Sequence, residues 1–226
     1  MSIFKKDGAS IYYEEAGEGP AILLIAPGGM RSSIQAWSAA PWNPIDELKG
    51  SFRVVAMDQR NAGRSEGSID SEDGWHTYVE DQLGLMDYLE IERFMVAGMC
   101  IGGPYIFKLL ETAEARIKAC VVFQTIGRDD NREEFYSMFD SWANDLKTDQ
   151  EIVSNEALKG LRENMFGGER ILFSVDDEFL RNIRVPMCVL MGNDVYHPES
   201  ASRFVVDRVG EAVFIEDWKE GIEKEK

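Results

Sequence analysis

One stretch constrains the chain more than any other. Phe94-Met95-Val96-Ala97-Gly98 is a short apolar run that stops at a glycine, and Met99-Cys100-Ile101-Gly102-Gly103 then passes one reactive side chain and two more glycines. Pro104-Tyr105-Ile106-Phe107-Lys108-Leu109-Leu110 continues as an apolar helix. This order reads as strand, sharp turn, helix. A helix that starts almost on top of its strand leaves no room for a Cβ two residues before or after the turn, which is where Gly98 and Gly102 stand. Cys100 sits at the turn, either as a buried core thiol or as the nucleophile of a Gly-x-Cys-x-Gly elbow.

The rest of the chain alternates strand and helix around that unit. Ser10 to Glu15 reads as an early hairpin strand, closed by Gly17-Glu18-Gly19-Pro20. Ala21 to Ala26 is a continuous apolar run, the pattern of a parallel strand covered on both faces, and it leads into Pro27-Gly28-Gly29-Met30. A helical region around Ser33 to Leu48, broken by Pro41 and Pro44, precedes the strand Phe52 to Met57 and the loop Asp58-Gln59-Arg60-Asn61-Ala62-Gly63-Arg64-Ser65. Asp73 to Glu90 is an amphipathic helix with Val79, Leu83 and Met86 on one stripe. Beyond the elbow, strands are expected at Ile117 to Thr125, Pro186 to Met191 and Ala212 to Glu216, with a helix at Glu199 to Val209. The fold class is α/β with a mainly parallel sheet.

Between Thr125 and Pro186 the pattern changes. Phe135, Phe139, Trp142 and Leu146 stand at helical spacing, as do Leu158, Leu161 and Met165, with Gly160, Gly167 and Gly168 as interruptions. Residues 126–185 are therefore expected to be a helical insertion between core segments 1–125 and 186–226. Its place at the carboxyl end of the sheet makes it a lid over the ligand crevice. Most of its aromatic residues are expected to pack it onto the core, with Trp142 and Phe166 facing substrate.

Composition narrows the function classes. The formal net charge is −17. The acidic residues are spread along the chain with no basic stripe, which argues against a nucleic-acid partner. No apolar run approaches the roughly 18 residues of a membrane span, so no membrane partner is expected. Residues 1–8 carry no signal-peptide pattern, and three widely spaced cysteines fit a reducing compartment, so the expected location is cytoplasmic. Cys120 and Cys188, in apolar runs, are expected in the core. No metal-ligand cluster is present, and Gly98 to Gly103 lacks the lysine and hydroxyl of a phosphate loop, so no cofactor is implied.

In this order the motifs resemble those of the α/β-hydrolase fold superfamily over nearly the whole chain. The resemblance rests on the strand into Pro27-Gly28-Gly29, the Asp58-x-Arg60-x-x-Gly63-x-Ser65 loop, the elbow, the lid position, and Met191-Gly192-Asn193-Asp194 after a late strand. It implies Cys100 as nucleophile, with an oxyanion hole from the N–H of Ile101 and that of Gly29 or Met30. Asp194 would be the acid, with Asp129 and Asp130 as secondary candidates. Members of this family usually place a histidine after the last strand, where this chain reads Glu216-Asp217-Trp218-Lys219-Glu220. The chain offers only His76 and His197. His197 shares a loop with Asp194 and precedes Pro198. At a helix N-terminus it is expected to have a lowered pKa and to act as a neutral base. The chain also ends too soon for a full terminal helix, and a homodimer would cover the sheet edge so exposed.

The reading is a cysteine-dependent hydrolase or acyltransferase for a small ester, thioester or lactone, working through an acyl-thioenzyme. The alternatives are a non-covalent lyase or isomerase on the same fold, and a binding protein that has lost the usual base. Arg128, Arg132, Arg162 and Arg170 in the lid allow a neutral or weakly anionic, partly apolar substrate.

Overall fold

A computed structural model of the chain describes residues 2–40, 42–149 and 153–219. Its strands are β1 (Ser2–Lys6), β2 (Ala9–Ala16), β3 (Ala21–Ile25), β4 (Arg53–Met57), β5 (Glu66–Gly67), β6 (Phe94–Met99), β7 (Ile117–Phe123), β8 (Met187–Leu190) and β9 (Ala212–Ile215). Its α-helices are α1 (Pro44–Leu48), α2 (Trp75–Tyr88), α3 (Gly102–Ala113), α4 (Arg132–Asp149), α5 (Asn155–Arg162) and α6 (Glu199–Val206).

All the strands join one sheet in the order β1-β2-β4-β3-β6-β7-β8-β9, with β5 beside β2. The β1–β2 hairpin pairs antiparallel to β4, and from β4 to β9 every pairing is parallel. Continuous apolar runs mark the strands covered on both faces. All five residues of β3 are buried, and its side chains alternate between two cores. Leu23 and Ile25 join Val55, Val96 and Val122 against α2 and α3, while Ile22 and Leu24 join Val54, Ala97 and Phe123 against Trp37.

The region around residues 33–48 resolves into a 3-10 segment, Ile34–Ala39, and α1. Pro41 lies outside the described residues. Pro44 opens α1 instead of breaking a helix, because a first-turn proline gives up only an N–H that the helix cannot use. Asn43 caps that turn through the Ile45 N–H at 3.1 Å.

The segment between β7 and β8 is helical, and it shares the larger core. Phe135, Phe139, Trp142 and Phe166 pack in one cluster with Trp75 and Tyr105, and the Trp75 indole donates to the Met165 carbonyl at 2.9 Å. Gly160 does not interrupt this segment; it lies inside α5. A Cβ there would fall 2.3 Å from the Ser71 carbonyl oxygen, so the glycine lets α5 lie against the loop before α2. Cys120 is buried, and that burial pushes its thiol up to about 12, whereas Cys188 is only half-buried. No helix among the described residues is long and apolar enough to cross a membrane. The shortened C-terminus read from the sequence rests on residues 220–226, which lie outside the described residues.

Candidate active site

The elbow has the geometry its glycines demand. Cys100 stands at a φ of 63°, in the left-handed region that a side chain avoids unless its surroundings hold it there. Its N–H donates to the Phe123 carbonyl at 3.1 Å, and its own carbonyl accepts from Ile126 at 3.2 Å, so the end of β7 holds the turn. A Cβ on Gly98 would meet the Gly102 carbonyl oxygen at 2.9 Å, and one on Gly102 would meet that of Ile25 at 3.1 Å. Strand, turn and neighbouring strand therefore pack backbone against backbone. Ile101, buried and in right-handed geometry, leads into the N-terminus of α3.

Across from the thiol lies the loop that leaves β3. Gly28 and Gly29 take φ values of 120° and 59°, and this left-handed pair lets both N–H groups approach the Cys100 sulfur. Met30 enters a short 3-10 turn with its side chain buried in the larger core. The sequence reading named Gly29, Ile101 and Met30 for this loop and turn, and it missed Gly28. The signal for Gly28 was the glycine pair itself, since two consecutive left-handed residues turn successive amides toward one point.

The loop after β8 supplies the other partners. Gly192 donates its N–H to the Ser202 hydroxyl at 3.2 Å, and a Cβ there would sit 2.3 Å from the His197 carbonyl oxygen. The Asp194 carboxylate accepts the N–H groups of Tyr196 and His197, both at 3.0 Å, which closes a tight turn. His197 Nδ1 then lies 2.7 and 2.8 Å from the two carboxylate oxygens. Nδ1 is thereby the donor, and Nε2 is the free ring nitrogen. Nε2 is buried with no geometric hydrogen bond among the described residues. The Cys100 thiol and the His197 imidazole nonetheless shift one another, the thiol down and the imidazole up.

Those shifts define the electrostatics. Burial is the largest influence on Cys100 and pushes the thiol up, but the hydrogen bond and charge of His197, with the Gly28 and Gly29 amides, reverse it to a net lowering. Burial acts on His197 downward, yet the thiolate and then Asp194 outweigh it and the imidazole is raised. Asp194, pushed up by burial, ends lowered because His197 and two backbone N–H groups hold its charged form. The expected lowering of His197 is reversed: interaction with the Cys100 thiol and the Asp194 carboxylate raises it instead. Pro198, not His197, is the cap residue of α6.

The remaining candidates fall elsewhere. Asp129 accepts the Ser200 hydroxyl at 2.7 Å, Asp130 is exposed, and neither is bonded to His197. His76 is exposed on the first turn of α2. Phe166 is fully buried, stacked on Phe135 with centroids 5.4 Å apart, and presents no surface to a substrate. Trp142 is buried too, its indole donating to the Asn61 carbonyl at 3.0 Å. The four arginines noted in the sequence all carry carboxylate partners: Glu169 for Arg128 and Arg132, Asp140 for Arg162, and Asp176 for Arg170. A cavity of about 600 Å³ has Glu14, Asp58 and Arg64 in its wall, but none of Cys100, Asp194 and His197.

Comparison with known proteins agrees with this architecture. The family model described as alpha/beta hydrolase fold matches residues 21–166. A bifunctional esterase/perhydrolase of Acinetobacter calcoaceticus is 25% identical over 224 residues, covering 84% of this chain and 80% of that protein. A 2-hydroxymuconate semialdehyde hydrolase of Pseudomonas sp. (strain CF600) is 29% identical over 114 residues, covering 50% of this chain and 39% of that protein. Among solved structures, the enol-lactonase of Burkholderia xenovorans LB400 superposes with a TM-score of 0.70 at 20% identity, over 95% of this chain and 90% of that one.

Proposed function

The chain belongs to the alpha/beta hydrolase fold family as a hydrolase, and from that premise we propose that it cleaves small neutral esters, thioesters or lactones through an acyl-thioenzyme on Cys100. The observation that carries the proposal is the line of contacts from the Asp194 carboxylate through His197 Nδ1 to a buried Nε2 left for the Cys100 thiol. The esterase and lactonase among its relatives act at the same kind of carbonyl.

The proposed cycle starts from the thiolate–imidazolium pair, which the lowered thiol and raised imidazole favour. The thiolate adds to the carbonyl carbon, forming the C–S bond, and the carbonyl electron pair moves onto oxygen. The N–H groups of Ile101 and Gly29 receive that oxyanion, in a site where fixed amide dipoles stabilise developing charge. As the oxyanion collapses, the bond to the leaving group breaks and His197 Nε2–H gives that group its proton. Neutral Nε2 then takes a proton from water, hydroxide adds to the acyl carbon, and the C–S bond breaks. Thiolate and imidazolium are restored. Asp194 holds the ring in the Nδ1–H tautomer throughout. Arg128, Arg132, Arg162 and Arg170 are each already paired with a carboxylate, which favours a neutral acyl group over an anionic one.

The test is the pH dependence of Cys100 alkylation by iodoacetamide in the wild type and in His197→Ala, beside turnover of an activated ester by Cys100→Ala. The proposal expects an alkylation pKa below the ordinary thiol value of about 8.5, a rise in it without His197, and no turnover without Cys100. A Cys100 indifferent to His197, or an active Cys100→Ala enzyme, rejects it.

A further inference from the structure

Helix α4 crosses the site and is fastened to three of its loops. The Arg31 guanidinium, just beyond the Gly28-Gly29 amides, donates to the Ser141 hydroxyl at 3.1 Å and pairs with the Asp145 carboxylate. The Trp142 indole binds the Asn61 carbonyl at 3.0 Å, and Phe135 meets Tyr196, the neighbour of His197, edge to face with centroids 5.5 Å apart. These ties fix the register of α4, and so decide which of its side chains lies against Gly29 of the loop beside the thiol. It is Met138. A Cβ built on Gly29 would be 2.7 Å from the Met138 sulfur and 3.2 Å from its terminal methyl. The thioether therefore rests on Gly29, the same residue whose N–H lowers the Cys100 thiol.

Resting on the acyl-thioenzyme reading, we propose that Met138 sets the size of the acyl group, closing the space above Gly29 so that short, unbranched, neutral acyl groups are accepted and long ones excluded. An acyl carbon bonded to Cys100, with its oxygen on the Gly29 amide, extends into the volume the thioether fills. Met138 can set that limit without holding the fold together. It is only partly buried, and the helix is anchored through residues 135, 141, 142 and 145. Its unbranched side chain is also flexible enough to yield to a few extra atoms, so the limit is graded.

The experiment compares wild type, Met138→Ala and Met138→Phe in two assays. One is hydrolysis of p-nitrophenyl acetate, butyrate and octanoate; the other is Cys100 alkylation by iodoacetamide and by the bulkier N-phenylmaleimide. Removing the thioether should raise the octanoate-to-acetate ratio of kcat/KM by about tenfold or more, the scale on which an apolar pocket discriminates methylenes. It should raise the relative rate of the bulky alkylating reagent in the same direction, with the alkylation pKa unmoved. Met138→Phe should lower both ratios. Ratios within twofold of wild type in both variants overturn the proposal. Should no ester turn over, the acyl-thioenzyme reading fails, and the two alkylating reagents still decide whether Met138 limits access to the thiol.

Discussion

Two loops of this molecule are built on the same device and, on the acyl-thioenzyme proposal, are put to opposite uses. Each follows a parallel strand, and in each an aspartate accepts two backbone N–H groups and one nitrogen of a basic side chain. Asp58, after β4, accepts Ile34 N–H at 2.7 Å, Arg64 N–H at 2.9 Å and Arg64 Nε at 3.1 Å. Asp194, after β8, accepts Tyr196 and His197 N–H at 3.0 Å and His197 Nδ1 at 2.7 Å. What differs is where the contacts lead. Arg64 lies over the Tyr12 ring, 3.4 Å from its centroid, and reaches Glu14, so every group in that network is occupied. His197 ends in a buried Nε2 with no hydrogen-bond partner among the described residues, and its imidazole helps lower the Cys100 thiol. A carboxylate turn becomes chemical when its last partner keeps one valence unspent.

Asp194→Asn attacks the chemical loop while keeping an oxygen for the two backbone N–H groups. The amide can present its NH2 to Nδ1, which favours the wrong tautomer and withdraws the charge that holds the imidazolium. Turnover should fall by about 10²- to 10⁴-fold, and the Cys100 alkylation pKa should rise, while the melting temperature stays close to wild type. Steady-state kinetics and a thermal melt check it. Turnover within threefold of wild type would mean that the two loops do not differ in kind.

Asp58→Asn is the matching change in the structural loop. Asp58 is fully buried, and Gly63 stands at a φ of 57° where a Cβ would fall 2.4 Å from its carboxylate, so the loop has no slack. An amide NH2 set against the Arg64 donors leaves buried donors facing each other. Loss of about 2–4 kcal/mol is expected in urea denaturation, the range for a buried charged hydrogen-bonding partner removed. The Cys100 alkylation pKa should not move. A shift there would join the two loops into one network and break the comparison.

The sequence revealed the frame of this molecule better than its electrostatics. The parallel strands and the sharp turn at Cys100 were legible because continuous apolar runs and glycines at fixed offsets answer to local sterics. Gly160 was misread as a break, because helical periodicity cannot see that the loop at Ser71 crosses α5 there. The direction of the His197 shift is illegible in the sequence for a related reason. Its helix neighbourhood is local and visible, whereas the thiol that raises it comes from a turn 97 residues earlier in the sequence. Met138 stood in a helical stripe like any core methionine, and only the tertiary contact with Gly29 singles it out. Phe166, read as facing substrate, belongs to an aromatic cluster drawn from several elements, which spacing alone does not report.

The smallest effect separates the loops by pH. Asp194 is lowered from an ordinary value of 3.8, so its contribution to stability is complete above 3.8 and is lost as pH falls through its folded value. His197 is raised from 6.5, so its contribution is complete below 6.5 and is lost as pH rises through its folded value. The two overlap in full only between 3.8 and 6.5. The difference in unfolding free energy between wild type and Asp194→Asn should therefore be flat across that window and shrink on both sides. With the Asp194 side chain 47% exposed, solvent screening keeps the plateau below about 1 kcal/mol. Urea titrations of both proteins from pH 3 to 8 measure it. A difference that stays flat from pH 6.5 to 8 would mean that Asp194 does not raise His197, and the pairing of the two would then carry no charge interaction.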